Sequence, residues 1–362
     1  MFLVTSYLPV QDIFFVFYFT TFDGSKKKPD VNKDNIEQVF NKFSELNVLV
    51  IGDAMVDSYL WGKIERISPE APIPIVTVIK QENRLGGAGN VSRNIQALGA
   101  NPVLVAIIGE DEKGKNFQEL MKENHLSDEG IFVDETRMTT VKTRIISGGQ
   151  QISRVDQEVS TPITPEFEKK VYERIKKIIE ERKIHIVIFV DYDKGFITQG
   201  LIKNVIDLAK SRNILTVADP KSRNFNNYQQ VDLFKPNFKE FKDGLNLQIE
   251  KTDMEELKII SRKFKTENQI GLLFITLSEL GVFLTNGIQQ NYYPAEVRYI
   301  ADVSGAGDTV VATASLCLAA RLPIPFMAQL SNLAGGLVCE KLGVVPIDPE
   351  QLKKEAKKIQ LI

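Results

Sequence analysis

Asp308 is the residue whose position most directly suggests chemistry. It follows a Gly-Ala-Gly turn (Gly305, Ala306 and Gly307 in ADVSGAGDTVVATA), at a point where a helix is predicted to begin. The backbone N–H groups of such a turn attract phosphate, so a carboxylate there conflicts with the expected ligand. Phosphoryl transfer to an alcohol removes the conflict: the amides from Gly305 to Asp308 face the phosphate, and the carboxylate accepts the proton of the attacking hydroxyl. The alternative is that Asp308 only caps the helix.

Two other segments carry residues that suit a sugar. RLGGAGNVSRNI is a glycine-rich turn with Gly86 and Gly87, and it leads into a helix that has Asn90 at its start. The glycines allow a polyol to approach the backbone and Asn90 can bond to hydroxyls, although a tight strand-to-helix turn would need the same glycines. VIGDAMVDSYL puts Asp53 and Asp57 just beyond a strand end, where open α/β sheets bind ligands. These two acids are either sugar ligands or surface-loop residues.

Of two segments that suggest a metal–nucleotide complex, one is retained. KPNFKEF places Asn237 and Glu240 one helical turn apart, which suits the positioning of hydrated Mg²⁺, with a helix-start motif as the alternative. GEDEKGKN, from Gly109 to Asn116, nearly matches a phosphate loop. However, Asn116 replaces the hydroxyl that binds Mg²⁺, and the three carboxylates in the loop would repel a triphosphate. This segment is not a P-loop.

The elements that must position these residues follow an α/β pattern. Short apolar runs alternate with helical segments from Leu46 onward; the runs are NVLVIGD, PVLVAIIG, HIVIFV, ILTVAD, VDLFKPN and GLLFITL. Helices are predicted at Glu166–Arg182, Gln199–Arg212, Asp308–Arg321 and Ile324–Lys341. Such alternation predicts βαβ units, and therefore a mostly parallel central sheet with helices on both faces.

Two stretches do not fit that alternation. IPIVTVIKQENRL and TTVKTRIISGGQQISRVDQE are rich in β-branched residues and contain turn residues. They predict a small separate β-sheet, a lid made of segments near residues 58–82 and 139–156, which covers a site at the strand ends.

Composition and charge exclude several classes of protein. The chain has 362 residues, with 45 Lys and Arg against 47 Asp and Glu, and no basic stripe that suggests nucleic acid. The two cysteines, Cys317 and Cys339, lie in apolar helical stretches, which argues against a disulfide framework and favours the cytoplasm. His125 and His185 are far apart and have no cysteine at metal-ligand spacing, which makes a zinc site or a Ser-His-Asp triad improbable.

The first residues differ from the rest of the chain. MFLVTSYLPVQDIFFVFYFTTF is rich in aromatic residues, but its apolar block from Ile13 to Phe19 is far short of the ~20 residues that span a bilayer. We therefore expect no membrane span. Residues 1–43 are predicted to be a poorly ordered extension or a start assigned too far upstream, and residues 44–362 to be the folded domain. A weak surface anchor is the alternative for the aromatic patch.

Taken together and in this order, the segments resemble the ribokinase-like (PfkB-type) sugar kinases from about Asn47 to Pro346. DVSGAGDT resembles the C-terminal signature of that family, GGAGNVSRNIQALGA the N-terminal one, and KPNFKE and ITLSELGV two nucleotide-side elements. The resemblance implies a three-layer α/β/α sandwich, ATP and Mg²⁺ as cofactors, and Asp308 as the base. It further implies an anion hole at Gly305–Asp308, an Mg²⁺ element at Asn237 and Glu240, and nucleotide contacts at Lys221, Thr276 and Gly281. A monovalent cation is left open as a further cofactor.

Three further stretches resemble a subgroup of this family. GDAMVDSYLWGKIERISPEAPIPIV, ISGGQQISRVDQE and DYDKG are similar to the bacterial D-glycero-D-manno-heptose 7-phosphate kinases, which phosphorylate the anomeric hydroxyl in activated-heptose biosynthesis. The resemblance implies sugar contacts at Asp57, Gly86, Gly87, Asn90, Asp191 and Lys194. A lysine there makes physical sense, because a sugar that already carries a phosphate needs a cation. Gly148 and Gly149 stand where larger polar residues are expected, so the lid contacts of this chain differ.

The resemblance also implies partners. The H-x-G-H motif of a nucleotidyltransferase does not occur in the sequence, so a separate nucleotidyltransferase is expected to act downstream. Exposed β-edges tend to be covered, which predicts a homodimer through the lid. Two alternatives remain open: a kinase for another sugar, and a catalytically silent sugar-binding protein on the same fold.

Overall fold

The computed structural model describes residues 36–296 and 298–359. The helices are α1 (Ile36–Ser44), α2 (Ala88–Ala97), α3 (Glu112–Glu123), α4 (Pro165–Glu181), α5 (Gln199–Ser211), α6 (Phe238–Gly244), α7 (Met254–Glu267), α8 (Ala306–Ala319), α9 (Ile324–Cys339) and α10 (Pro349–Lys358). The strands are β1 (Asn47–Gly52), β2 (Ala54–Ile67), β3 (Pro74–Gly87), β4 (Asn101–Gly109), β5 (Ile131–Asp134), β6 (Thr140–Ser147), β7 (Gln150–Gln157), β8 (Ile186–Val190), β9 (Leu215–Asp219), β10 (Leu233–Phe234), β11 (Leu272–Thr276), β12 (Val282–Thr285) and β13 (Gln290–Tyr293).

The central sheet has nine strands in the order β13-β12-β11-β10-β9-β8-β1-β4-β5. It is parallel from β5 to β11, and only β12 and β13 are antiparallel to their neighbours. Strand β1 lies between β4 and β8, so Val50 pairs with Leu104 on one side and Ile188 on the other. The mostly parallel sheet predicted from the alternating runs is confirmed.

Helices cover both faces of this sheet because its strands are apolar on both faces. Along β1, Val48 and Val50 belong to a core shared with α1, α2, α8 and α9, whereas Leu49 and Ile51 belong to a core shared with α4, α5, α6 and α7. All four side chains are fully buried, which is typical of parallel strands with helices on each side. The result is the three-layer α/β/α sandwich.

A separate four-stranded sheet, the lid, has the order β3-β2-β6-β7. Strand β2 is antiparallel to β3 and parallel to β6, and β6 is antiparallel to β7. Each of β2 and β3 has 14 residues, and β2 is buried over residues 54–59 but exposed over residues 63–67. The lid is thus rooted in the domain and projects from it, which confirms the small separate sheet.

Helix α1 corrects the predicted start of the folded domain. It lies almost wholly within residues 1–43, yet Ile36, Val39 and Phe43 are buried in the core beside α10 and the sheet. Their spacing along one helical face explains the burial. Residues 36–43 therefore belong to the domain, while the rest of the predicted extension lies outside the described residues. Among the described helices, none is long and apolar enough to cross a membrane.

Candidate active site

The site lies at the carboxyl edge of the parallel strands. Asp53 follows β1, Tyr192 follows β8, Asp219 ends β9 and Lys235 follows β10. In a parallel sheet these strand ends share one edge, where ligands of open α/β folds bind. The N-termini of α2 and α8 and the first residues of β2 lie at the same edge.

Asp308 is held in place by two donors from different elements. Its side chain is only 3% exposed; Asn90 Nδ2 donates to its Oδ2 at 2.7 Å, and the Tyr192 hydroxyl donates to its Oδ1 at 2.6 Å. Burial raises the pKa of Asp308, and the two hydrogen bonds oppose that rise because they stabilise the ionised form. The cap position of α8 belongs to Gly305, and no side chain caps this helix. The capping alternative for Asp308 is therefore wrong.

The turn before α8 presents free amides. Gly305 has a left-handed backbone with φ of 82°, which favours glycine. Within the described part of the chain, the N–H groups of Gly305, Gly307 and Asp308 have no acceptor, whereas that of Ala306 donates to the Val303 carbonyl at 3.3 Å. At the start of a 14-residue helix, these free amides suit an anion.

Asn90 touches both the turn and the carboxylate. A Cβ atom on Gly305 would lie 3.0 Å from Asn90 Nδ2, so glycine permits the approach of this amide. Asn94 donates from Nδ2 to the Asn90 carbonyl at 2.9 Å and accepts from Thr309 Oγ1 at 3.0 Å. Helices α2 and α8 are thus joined by side-chain hydrogen bonds around Asp308.

Tyr192 was missed by the sequence reasoning, although it is the second residue of the quoted DYDKG. Two ammonium groups lie near its half-buried ring, with Lys142 Nζ 5.2 Å and Lys221 Nζ 5.4 Å from the ring centroid. Burial, and then the nearby Asp308 charge, raise the pKa of Tyr192 well above its ordinary value, so the hydroxyl remains a donor. The sequence signal that could have identified Tyr192 was its place beside Asp191 in DYDKG, a segment already singled out.

Two carboxylates shape the loop that carries Tyr192. Asp53 Oδ2 accepts from the amides of Tyr192 at 2.8 Å and Lys194 at 3.2 Å, and burial raises the pKa of Asp53 to about 6. Asp191 Oδ2 accepts from Asn224 Nδ2 at 2.9 Å and from the Tyr228 hydroxyl at 2.8 Å. Both acids are therefore bonded to protein donors that fix the loop. The sugar contact predicted for Asp191 has no support from this geometry.

Asn237 and Glu240 form a capping box at the start of α6. Glu240 Oε2 accepts from the Asn237 amide and Asn237 Oδ1 accepts from the Glu240 amide, both at 2.8 Å. The other Glu240 oxygen pairs with Lys221. The helix-start alternative thus describes what these side chains do in the structure, and their role near Mg²⁺ stays a prediction.

Lys235 supplies a second cation that the sequence reasoning did not single out, although it opens the quoted KPNFKEF. Its Nζ forms an ion pair with Asp219 Oδ1 at 3.0 Å, and its side chain is 3% exposed. A Cβ on Gly307 would lie 3.9 Å from the same Nζ, which places the ammonium beside the anion-binding turn. Burial raises the pKa of Asp219 to about 6.

The donor set fits a hydrated metal ion better than a protein cage. Among residues 36–296 and 298–359, no three His, Cys, Asp or Glu side chains cluster to hold a metal. Two of the acids near the turn, Asp219 and Glu240, are each paired with a lysine. Mg²⁺ commonly keeps several waters and is held through one or two carboxylates and substrate phosphates, which these residues allow.

The remaining predicted residues lie around this centre. Asp57 is buried and pairs with Arg144 of the lid; a Cβ on Gly86 would meet Asp57 Oδ2 at 2.1 Å, so the glycine there has a packing reason. Gly87 has φ of 55°. Lys194 pairs with Glu158 at 2.7 Å. Thr276, for which a nucleotide contact is predicted, pairs with Asn237 in a parallel bridge, and Gly281 has φ of 102°.

Comparison with known sequences adds a family. The profile of the pfkB family carbohydrate kinases matches residues 45–351. The bifunctional protein HldE of Syntrophotalea carbinolica is 36% identical over 324 residues, 89% of this chain and 65% of that protein. The bifunctional protein HldE of Helicobacter pylori strain G27 is 38% identical over 297 residues, 82% of this chain and 63% of that protein. The chain thus spans less than two thirds of the length of these relatives.

Comparison with solved structures adds the fold. The tetrameric inhibited form of phosphofructokinase-2 from Escherichia coli superposes with a TM-score of 0.70 at 16% identity, covering 87% of this chain and 98% of that chain. Ribokinase from Thermotoga maritima gives a TM-score of 0.64 at 18% identity, covering 87% of this chain and 100% of that chain. The ribokinase-like fold predicted from the sequence is confirmed.

Proposed function

Because the chain belongs to the pfkB family of carbohydrate kinases, whose members transfer a phosphoryl group to a sugar hydroxyl, we propose that its acceptor is the anomeric hydroxyl of D-glycero-D-manno-heptose 7-phosphate and its donor ATP. The heptose substrate is supported by the sequence resemblance of three segments and by the HldE relatives. One observation carries the proposed chemistry: a buried carboxylate, Asp308, fixed by two donors beside free amides at a helix N-terminus.

In the proposed reaction, Asp308 accepts the proton of the sugar hydroxyl as its oxygen attacks the γ-phosphorus. The new O–P bond forms as the bond to the departing ADP oxygen breaks in line. The amides of Gly307 and Asp308 hold the charge on the transferring oxygens, and Lys235 beside Gly307 adds a positive charge. Asn90 fixes the second carboxylate oxygen, so the base meets the hydroxyl in one orientation.

The nucleotide is proposed to lie on the side of α6 and β11. Lys221 and Lys235 supply cations for its phosphates, and Thr276 and Gly281 lie near its base or ribose. Bound Mg²⁺ neutralises phosphate charge; Asn237 and Glu240 would hold it through water. These roles agree with a donor set that lacks a metal cage among the described residues.

Partners follow from the same proposal. The product would be a heptose 1,7-bisphosphate, and a separate nucleotidyltransferase would act further downstream, consistent with relatives that are bifunctional by name. A second copy of the chain would cover apolar side chains that the lid exposes, among them Ile67, Ile73 and Ile79. We also propose a cytoplasmic location, which the use of ATP and the free cysteines Cys317 and Cys339 support.

The test is ATP-to-ADP turnover against a panel of sugars and sugar phosphates with Mg²⁺ present. We expect turnover with heptose 7-phosphate, and we expect Asp308→Asn to lower kcat by roughly 10²–10⁴ with ATP binding little changed. Turnover with a plain hexose or pentose would keep the kinase and discard the heptose. Sugar binding without turnover, in folded protein that binds nucleotide, would instead indicate a silent binding protein.

A further inference from the structure

The cleft-facing surface of the lid carries more positive than negative charge. Asp57 on β2 lies opposite Lys142 on β6, which lies opposite Asp156 on β7, so these three side chains share one face. Arg144 and Arg154 are cross-strand neighbours in the next row of the same face. On β3, Arg84 lies opposite Asp57 and pairs with Glu82, so these two charges cancel. The three cations and two carboxylates named on β2, β6 and β7 leave one positive charge uncompensated among them.

Lys142 is the cation without an ion-pair partner. The carboxylates nearest to it in the sheet are already paired, Asp57 with Arg144 and Asp156 with Arg154 at 2.8 Å. In the described part of the chain, no carboxylate lies within ion-pair distance of Lys142, and its ammonium instead faces the ring of Tyr192 at 5.2 Å. Burial lowers the pKa of Lys142, and the nearby charge of Asp57 opposes that fall only in part. An anion between lid and loop would supply the missing partner.

The position of Lys142 relative to the base suits a sugar with a charge at its far end. The Tyr192 hydroxyl donates to Asp308, and the ring of the same tyrosine lies under the Lys142 ammonium. The Lys142 ammonium and the Asp308 carboxylate thus lie at the same tyrosine side chain, the ammonium over its ring and the carboxylate at its hydroxyl. A pyranose ring is similar in size to an aromatic ring, so a sugar whose reacting hydroxyl meets Asp308 would carry its exocyclic phosphate toward Lys142.

We propose that Lys142 binds the phosphate that the sugar substrate already carries, and that this contact selects phosphorylated over unphosphorylated sugars. The inference rests on the proposed kinase function and names the residue that recognises the phosphate of its substrate. It moves the cation role from Lys194, whose ammonium is already paired with Glu158 at 2.7 Å, to a residue of the lid. Lys142 thereby links phosphate recognition to the element that covers the site.

Calorimetric titration without ATP tests this contact apart from catalysis. The ligands are D-glycero-D-manno-heptose 7-phosphate and the dephosphorylated heptose. We expect Lys142→Met to weaken binding of the phosphorylated sugar about 10–100-fold and to leave the dephosphorylated sugar within about threefold. Lys142→Arg should retain most of the affinity. Lys194→Met should weaken binding of the phosphorylated sugar by less than about threefold. Lys80→Met is a control at an exposed lid lysine paired with Glu82, and it should leave the affinity for both sugars unchanged.

Three results would overturn the proposal: equal affinity of the wild type for both sugars, unchanged binding in Lys142→Met, or the loss appearing in Lys194→Met instead. Thermal unfolding of each variant shows whether a loss reflects misfolding, and recovery by Lys142→Arg supports the charge as the cause. Failure of the kinase proposal is seen separately, as absence of ADP formation with every acceptor. The titration then still decides the role of Lys142.

Discussion

Replacing Tyr192 by phenylalanine removes one of the two hydrogen bonds that hold Asp308, while it keeps the aromatic ring beside Lys142 and Lys221. The lost contact is a 2.6 Å bond from a hydroxyl to a buried carboxylate. Hydrogen bonds to charged groups contribute about 1.5–3 kcal/mol, and each 1.36 kcal/mol is a factor of ten. If the bond persists with substrate bound, kcat/KM near neutral pH should fall about 10–100-fold.

The pH dependence gives this prediction its sign. The tyrosine hydroxyl stabilises only the ionised carboxylate, so its removal raises the pKa of Asp308 further above its ordinary value. The base must be ionised to accept a proton. The acid limb of kcat/KM against pH should therefore move to higher pH in Tyr192→Phe, and part of the activity should return in alkaline buffer.

A matched control exists in the same loop network. Tyr228→Phe removes the same hydroxyl from a buried tyrosine that donates to Asp191 at 2.8 Å. Tyr228→Phe should lower the free energy of unfolding by about 1–3 kcal/mol, as expected for the loss of such a hydrogen bond. It should leave the acid limb of kcat/KM at the same pH as in the wild type. The assay is ADP release followed by coupled enzymes from about pH 5 to pH 9. An acid limb that does not move in Tyr192→Phe would refute the reasoning and show that the hydroxyl leaves Asp308 when the sugar binds.

Two further predictions concern the turn and the loop. Gly305→Ala places a side chain on a left-handed backbone, 3.0 Å from Asn90 Nδ2, so it should lower the free energy of unfolding by about 1–2 kcal/mol and reduce turnover. Gly307→Ala is the control. There the nearest atom is 3.9 Å from the new Cβ, and the free energy of unfolding should change by less than about 0.5 kcal/mol. Burial raises the pKa of Asp53 from 3.8 to about 6, so the folded protein keeps a proton that the unfolded chain releases. Stability from this group is present below pH 3.8 and is lost as the pH rises through 6, by at most about 3 kcal/mol. Asp53→Asn keeps an acceptor but does not titrate, so its stability relative to the wild type should rise between about pH 4 and pH 7. A difference that stays constant over that range, measured by denaturant unfolding, would contradict this assignment.

Local sequence patterns predicted most of the architecture because the parallel strands are short apolar runs separated by helical periodicity. Helices α4 and α5 agree with the predicted ranges within one residue at each end. The start of the domain was predicted too late in the sequence. The nine-residue α1 follows a polar segment and lacks the apolar run that marks each strand. Its burial depends on α10, which is more than 300 residues away in the sequence.

The site was predicted in part for a similar reason. Asp308 and its turn lie in one short segment, so their spacing carries the information. The contacts of Tyr192, Lys142 and Lys235 arise from elements that meet only in the fold. Lys194 was preferred because it stood in a matching segment, and its pairing with Glu158 could not be read from the order of residues.

Strand β2 runs without a break from the core into the lid, so a small rotation at its buried end produces a large displacement at the lid tip. Its buried part over residues 54–59 includes Asp57, and its exposed part over residues 63–67 leads to the lid tip. Residues 60–67, the eight residues of β2 beyond its buried part, extend roughly 26 Å at about 3.3 Å per residue. A tilt of about 10° of the strand at its buried end therefore moves the tip by about 4–5 Å. A contact that holds the tip in place therefore constrains the angle at which Asp57 and Lys142 face the sugar. Substitutions at the tip, near residues 67–74, that shift this angle should therefore change sugar affinity without a change in any direct contact.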